Sequence, residues 1–405
     1  MENENNLLNK KLSKSAKYLI ASDLNYTITA LFAETFLVAY FLNITDNNIT
    51  QISLYFIIIY GIKAILQLII GKFIKNNSKA KTKTMSIGIV IRAIFILYTF
   101  LLGENLKTNF VIVAIIFGLS ETLYWSTHEL IFIDVTNNNN RKDYMSIKKI
   151  LSTIVKIVAP IVLGTSIELY SFSKVAIYIF ALSVIQIILS LQIDSKEFSI
   201  NNKGEPYSLK KYILVLRENR LKSIKKFYGA SFFFGIVLNT LATIVTVVTV
   251  MTFKTSFNLG ILTTIFSVFS ILSLFLYKKI DNKNKIKKFI IICSVLVMVS
   301  VIGLLLNISK ATLIIYYFTY SITICIIDTA FNTKKGDLIK NYDIEKYNVE
   351  YVMMCETFTE IGNVFGFTLM LIAGFVGGIV SFKLLLLLIT LCVPVFTKLL
   401  TDIDK

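Results

Sequence analysis

Glu121, Trp125, His128 and Glu129 follow one another at i, i+4, i+7 and i+8 inside a long apolar run. On a helix that spacing collects them on one face. An ionisable side chain in the middle of a run of this kind costs about 2.5–3.5 kcal/mol or more unless it is paired or hydrated. The few that occur therefore carry the chemistry. Glu121 sits ~18 Å from one end of its run at helical rise. Two uses fit it: binding a cationic substrate, with Trp125 (the only tryptophan) offering a cation–π face, or pairing with Lys156 or Arg92 to tie helices together. His128 lies nearer the run's end, where a histidine is usually interfacial, although its pKa suits a pH response.

Other charges are spread through neighbouring runs. Arg92 lies ~12 Å and Lys156 ~15 Å in from one side. Lys63 and Gln67 share a face, and Asp23 and Glu34 sit in the first run. Mutual neutralisation among Arg92, Lys156, Lys63 and the acids is one use; anion recognition by Arg92 and Lys156 is the other. A later run places Glu356, Thr359, Glu360 and Asn363 on one face, with Asp328 in the run before. The three apolar runs that open that half hold no ionisable interior residue to offset them. Adjacent carboxylates raise one another's pKa, which suits a site that takes up and releases a proton. The alternatives are a polar face lining a wet cavity, or a pair with Lys335 or Lys340. The candidate substrate residues are Glu121, Trp125, Glu34 and Asn363; the candidate proton-coupling residues are Glu356, Glu360 and Asp328.

The elements that hold these residues are twelve apolar segments, roughly 18–42, 49–70, 84–103, 109–133, 146–169, 173–193, 227–252, 258–277, 289–307, 311–331, 348–373 and 376–400. Each is ~20 residues, enough to cross ~30 Å of hydrocarbon as a helix. Hydrophobic residues make up 55% of the 405, with a mean hydropathy of +0.70. No period-2 alternation supports barrel strands. The chain reads as an all-α polytopic membrane protein.

The net charge of +17 does not indicate nucleic acid. If the N-terminus is inside, most lysines and arginines fall in inside loops and helix ends. Lys107, Lys174, Lys254, Lys310 and Lys383 are the outside exceptions. This is the positive-inside pattern, and it places both termini in the cytoplasm of a plasma-membrane protein. No cleavable signal peptide precedes the first span. Cys293, Cys325, Cys355 and Cys392 lie one per span without metal-binding spacing, so neither metal nor cofactor is expected. No Walker-type loop points to ATP.

Six spans precede the polar stretch 194–226 and six follow it. The expected units are an N-terminal six-helix bundle (1–193), a cytoplasmic central loop (194–226) and a C-terminal six-helix bundle (227–405). Leu209, Tyr212, Ile213 and Leu216, flanked by Lys210, Lys211, Arg217 and Arg220, fit a short amphipathic helix or a flexible basic linker. Lysines crowd both the 2–3 loop (Lys72 to Lys83) and the 8–9 loop (Lys278 to Lys288), as an internal duplication would arrange them.

With those features the chain resembles the major facilitator superfamily over essentially its full length. In the family's 2–3 loop motif a Gly is followed by an Asp and basic residues. Gly71 matches, Lys75 replaces the Asp, and Lys79, Lys81 and Lys83 follow. The 8–9 loop keeps an acid, Asp281. Pro160 and Gly164 resemble the antiporters' fifth span, and Tyr351, Glu356 and Gly362 resemble a bacterial branch, so the likeness extends to an efflux-type branch. The resemblance implies two six-helix bundles around a central cavity, a gating role for Gly71 and Asp281, and a monomeric secondary transporter rather than an enzyme. The expected function is proton-coupled export of a small amphipathic compound. The alternatives are a lipid-linked saccharide flippase of another twelve-span fold and a polytopic transferase. A transferase usually carries His/Asp or repeated acid motifs in a large loop, which this chain lacks.

Overall fold

The computed structural model describes residues 12–75, 77–136, 140–198, 206–218, 221–253, 256–278, 283–307, 309–342 and 344–403. Among them there are no strands. The helices are α1 (Lys14–Ile44), α2 (Ile49–Ile74), α3 (Ser78–Leu102), α4 (Leu106–Val135), α5 (Arg141–Tyr170), α6 (Phe172–Leu191), a short α7 (Leu209–Glu218), α8 (Lys222–Gly235 continuing through Leu241–Phe253), α9 (Ser256–Lys278), α10 (Lys283–Leu306), α11 (Lys310–Asn341), α12 (Asn348–Val376) and α13 (Gly378–Thr401). Eleven runs qualify as membrane spans by length and composition. One of these, Ser78–Phe132, is 55 residues long. It is broken by a 3₁₀ turn at Gly103–Asn105, where Gly103 adopts φ +51°, a conformation only glycine reaches at little cost. Since α3 and α4 then pack along each other, the chain crosses twelve times. All twelve expected segments are helices, and α1 begins on the side where α13 ends, hereafter the termini side.

Helix starts are written in the sequence. Ser13, Asn48 and Asn77 cap α1, α2 and α3 by accepting backbone N–H groups of the first turn. Some helices run past the apolar segments: α11 reaches Asn341 and α5 starts at Arg141, so residues that read as loop edges are helical. The segment Leu209–Glu218 is helical as well, with Tyr212 and Leu216 buried and Ile213 exposed.

The burial pattern inverts that of a water-soluble protein. Large apolar side chains such as Ile65, Phe73, Leu101, Leu169 and Ile188 face outward, while Lys63, Arg92, Glu121 and Glu360 are buried. Lipid solvates the former, and the latter must satisfy each other inside. Among the described residues the core has three apolar clusters. On the side away from the termini, one cluster joins both halves, from Phe36, Phe56 and Phe117 to Leu241, Leu259 and Phe367. On the termini side there are two. One, around Met85, Tyr124 and Tyr144, belongs to the first half. The other, around Phe227, Phe331 and Phe396, belongs to the second half and takes in the end of α2. The halves are thus joined across the far side, and toward the termini side they stay in contact along α2.

Candidate functional site

The halves meet along two seams. Along the first, α2 lies against α12 for its whole length. Thr50 touches Gly374, where an added Cβ would come within 2.8 Å of the threonine hydroxyl. Phe56 stacks on Phe367 at 4.6 Å, Lys63 pairs with Glu360 at 2.8 Å, and Lys75 pairs with Glu350 at 2.6 Å. Along the second, α5 meets α9 only in the far half. Gly260 lies on the Pro160 carbonyl, 2.5 Å from where a Cβ would sit, and the Thr264 hydroxyl donates to the Ile157 carbonyl at 2.9 Å. Toward the termini side the two helices part and line a cavity of about 550 Å³.

That cavity is walled by α1, α4, α5, α8, α9 and α11. Glu34, Lys149, Lys156 and Asp328 bring charge to it, and Tyr26, Trp125, Phe266, Tyr317 and Tyr320 bring aromatic surface. A second chamber of about 240 Å³ adjoins it. Lys63, Glu129, Glu356 and Glu360 line that chamber, and Trp125, Leu238 and Asp328 are common to both.

Local backbone features aim several of these groups. Phe32–Phe36 in α1 and Ile236–Thr240 in α8 are single π-helical turns. They fall in the first span of each half, at positions the duplication makes equivalent, and such turns concentrate at functional sites. The first carries Glu34. The second carries Asn239, whose amide donates to Asn363 Oδ1 at 3.1 Å. Asn363 donates in turn to Glu360 Oε2 at 2.8 Å. Gly235 and Gly362 let α8 and α12 touch backbone to backbone, since a Cβ on Gly362 would fall 1.9 Å from the Phe232 carbonyl. This close approach fixes the height of Glu360 in the membrane.

The expected substrate residues divide. Trp125 and Glu34 face the cavity. Among the described residues, no hydrogen bond or ion pair engages Glu34. Glu121 is buried away from it, accepting from Arg92 Nη1 at 2.6 Å and from the Tyr26 hydroxyl at 2.7 Å. Trp125 Nε1 donates to the same tyrosine at 2.7 Å, and the Arg92 guanidinium lies 4.2 Å from its ring centre. Of the two uses open to Glu121, the pairing with Arg92 is the one observed. Asn363 is buried at the Glu360 pair.

The unopposed acidic face expected on the eleventh span is corrected. Glu360 pairs with Lys63, and Glu356 pairs with Lys335, which also approaches Glu129 at 3.3 Å. The Lys335 pair is the alternative the sequence offered for this face; Lys63 was out of view because it comes from the other half. The N-terminal charge network is corrected too. Arg92 is neutralised within its half and Lys63 across the halves, while Lys156 has no ion pair among the described residues. Among the described residues, the Asp328 carboxylate accepts only from Asn332, at 2.8 Å.

Sequence reasoning missed the groups that close the termini side of the first seam. Glu350 is fully buried. It takes both Lys75 contacts and accepts the Ser208 N–H at 3.0 Å. Tyr207 donates to the Leu68 carbonyl at 3.0 Å and lies flat on Gly71, whose missing side chain makes the room. Lys75 at an acid's position in a Gly71 motif was the available signal. A second cluster binds Asp23 to Tyr124, His128 and Lys148 at 2.6–2.8 Å. Asp281 lies outside the described residues.

Among solved structures, the nucleoside transporter NupG matches with a TM-score of 0.67 at 13% identity, over 97% of this chain and 100% of that one. A bacterial homologue of the iron transporter ferroportin in its inward-facing state matches at 0.65 and 12%, over 97% and 99%. A structure described as a bacterial metal transporter matches at 0.61 and 11%, over 98% and 100%. These likenesses establish the fold. No curated protein sequence matches the chain significantly. A sequence profile described as Major Facilitator Superfamily matches residues 20–342, which removes the alternatives of another twelve-span fold and of a transferase.

Proposed function

The chain belongs to the Major Facilitator Superfamily, and on that footing we propose that it is a proton-coupled secondary transporter exporting a small amphipathic compound by alternating access. The proposed units are a bundle over 1–193 and a bundle over 227–405, joined by a cytoplasmic central loop, 194–226. The protein acts as a monomer in the plasma membrane, as an efflux-type member, with both termini in the cytoplasm.

The observation that carries this reading is the junction of the two chambers. The cavity between α5 and α9 holds unpaired charge and aromatic surface for a substrate. The adjoining chamber holds Lys63–Glu360, an ion pair between the halves, and only Trp125, Leu238 and Asp328 stand between. A buried cross-half pair is a two-state element: it is stable when closed, and removing one charge leaves the other uncompensated. A proton on Glu360, on Glu356 or on Asp328 changes that balance and so biases the halves between two packings. Coupling follows when a substrate in the first chamber alters access of the second to water. Trp125 and Glu34 contact substrate. Arg92 and Glu121 hold α3, α4 and α1 together behind it.

The test is proton movement in inside-out vesicles, followed with a pH-sensitive dye as compounds from a library are added to vesicles holding a pH gradient. Compound-driven proton release is expected from the unmodified protein. Glu360→Gln, which leaves a neutral amide to accept from Lys63, is expected to transport without dependence on the gradient. Normal coupling in both Glu360→Gln and Glu356→Gln would sink the proton assignment.

A further inference from the structure

Most buried charges of this protein that lie within the bilayer are paired: Arg92 with Glu121, Lys63 with Glu360, Lys335 with Glu356 and Lys148 with Asp23. Four at similar depth are not paired, and these are open to a cavity rather than buried. Glu34, Lys149, Lys156 and Asp328 all line the cavity between α5 and α9, and among the described residues none of them has an oppositely charged group within ion-pairing distance. Two are acids and two are bases, so the cavity is electrically balanced although its charges are apart.

We propose that this cavity takes a zwitterionic substrate: a small molecule bearing one cationic amine and one carboxylate or phosphate on an aromatic or apolar body. The proposal names the substrate class of the transport site and rests on the transport reading above. An unpaired ion within a span is costly unless water or a partner reaches it. A ligand that displaces the cavity water must therefore replace hydration at both signs. A cation satisfies the acids and strands the lysines; an anion does the reverse; a neutral compound strands all four. Only a ligand of both signs answers the whole set.

The arrangement also gives the ligand a direction. Lys149 and Lys156 are seven residues apart on α5, about 10 Å along the axis, with Ser152 and Thr153 on the same face between them. This makes a strip that follows an anionic group by charge and hydrogen bond. Asp328 lines the same cavity. Glu34 comes to the cavity from the π turn of α1, the helix that also carries Tyr26, and Trp125 of α4 lines the cavity as well. Carboxylate and aromatic face together suit an ammonium.

The experiment uses the full-length protein in detergent and matched triplets of probes. Each triplet shares an aromatic body and differs only in charge: L-phenylalanine, phenethylamine and 3-phenylpropionate, then homologues with longer spacing between amine and acid. Binding is read by thermal shift and confirmed by calorimetry. The zwitterion of at least one triplet is expected to bind tenfold or more tightly than its singly charged partners. Glu34→Gln is expected to move the preference toward the acid, and Lys156→Gln toward the amine. Tightest binding by amines, acids or neutral bodies, or no binding by any zwitterion up to millimolar concentration, overturns the proposal. Ser267→Trp, which fills the cavity from α9, separates the two readings. If it abolishes compound-driven proton movement while zwitterions are not preferred, the transport site stands and the substrate class falls. If it transports normally, the site itself is misplaced.

Discussion

The α2/α12 seam and the α5/α9 seam join the same two halves and occupy equivalent places in the duplicated plan, yet they are made of different materials. The first is continuous and charged, with Lys63–Glu360 and Lys75–Glu350 set between aromatic stacks. The second is short and uncharged, a glycine on a proline carbonyl and one threonine hydrogen bond, and its lysines stand apart in the cavity. Ion pairs are strong but demand geometry, whereas small-residue contacts let helices approach and slide with little directional cost. The difference assigns labour: the first seam holds the halves in register, and the second opens and closes the route to the cavity.

The largest test of that division is at Glu350. Lys75→Met leaves its carboxylate buried without a cation, which is expected to cost about 3–5 kcal/mol, seen as a lowered unfolding temperature. Pairing Lys75→Met with Glu350→Leu removes the stranded charge and is expected to recover more than half of that loss. A single variant as stable as the unmodified protein would mean that the charged seam does not hold the halves.

The α5/α9 seam should break by crowding rather than by charge. Gly260→Val drives a side chain into the Pro160 backbone and is expected to cost about 1–3 kcal/mol, the usual range for overpacking. It should also raise the labelling of a cysteine placed at Thr264 from the far side. Gly61→Val on α2 is the control, since nothing lies within 4 Å of a Cβ there. Equal losses at the two glycines would remove the close contact from the account of closure.

How far this contrast was readable in the sequence follows from distance along the chain. Segment length, the positive-inside pattern and the loop correspondence are local quantities, and they gave twelve helices and a duplicated plan. The amphipathic spacing of Leu209 to Leu216 was also local, and the helix is there. Pairs such as Lys63–Glu360 and Lys75–Glu350 join residues nearly 300 positions apart, and no periodicity links them. Hydropathy also ended the tenth span before Lys335, because a helix continues past the apolar boundary and hydropathy does not. The π turns that place Glu34 and Asn239 leave no compositional mark at all. Of the candidate site, the right residue types were legible, but which faced one another was not.

The smallest expected effect sharpens the comparison most. Lys149→Gln removes a cation of the same kind as Lys75, from the same membrane half, but from the other seam. Since Lys149 has no ion pair among the described residues and is exposed to the cavity, nothing buried is stranded by its loss. The change in stability is expected to stay within about 0.5 kcal/mol. Compound-driven proton movement, by contrast, should fall at least tenfold, because the charge it removes belongs to the ligand's side of the balance. Lysines that are alike in sequence would thus separate fully, one affecting folding and the other transport. A loss of stability at Lys149 as large as that at Lys75 would instead show that the second seam is held by charge too, and the division of labour between the seams would fail.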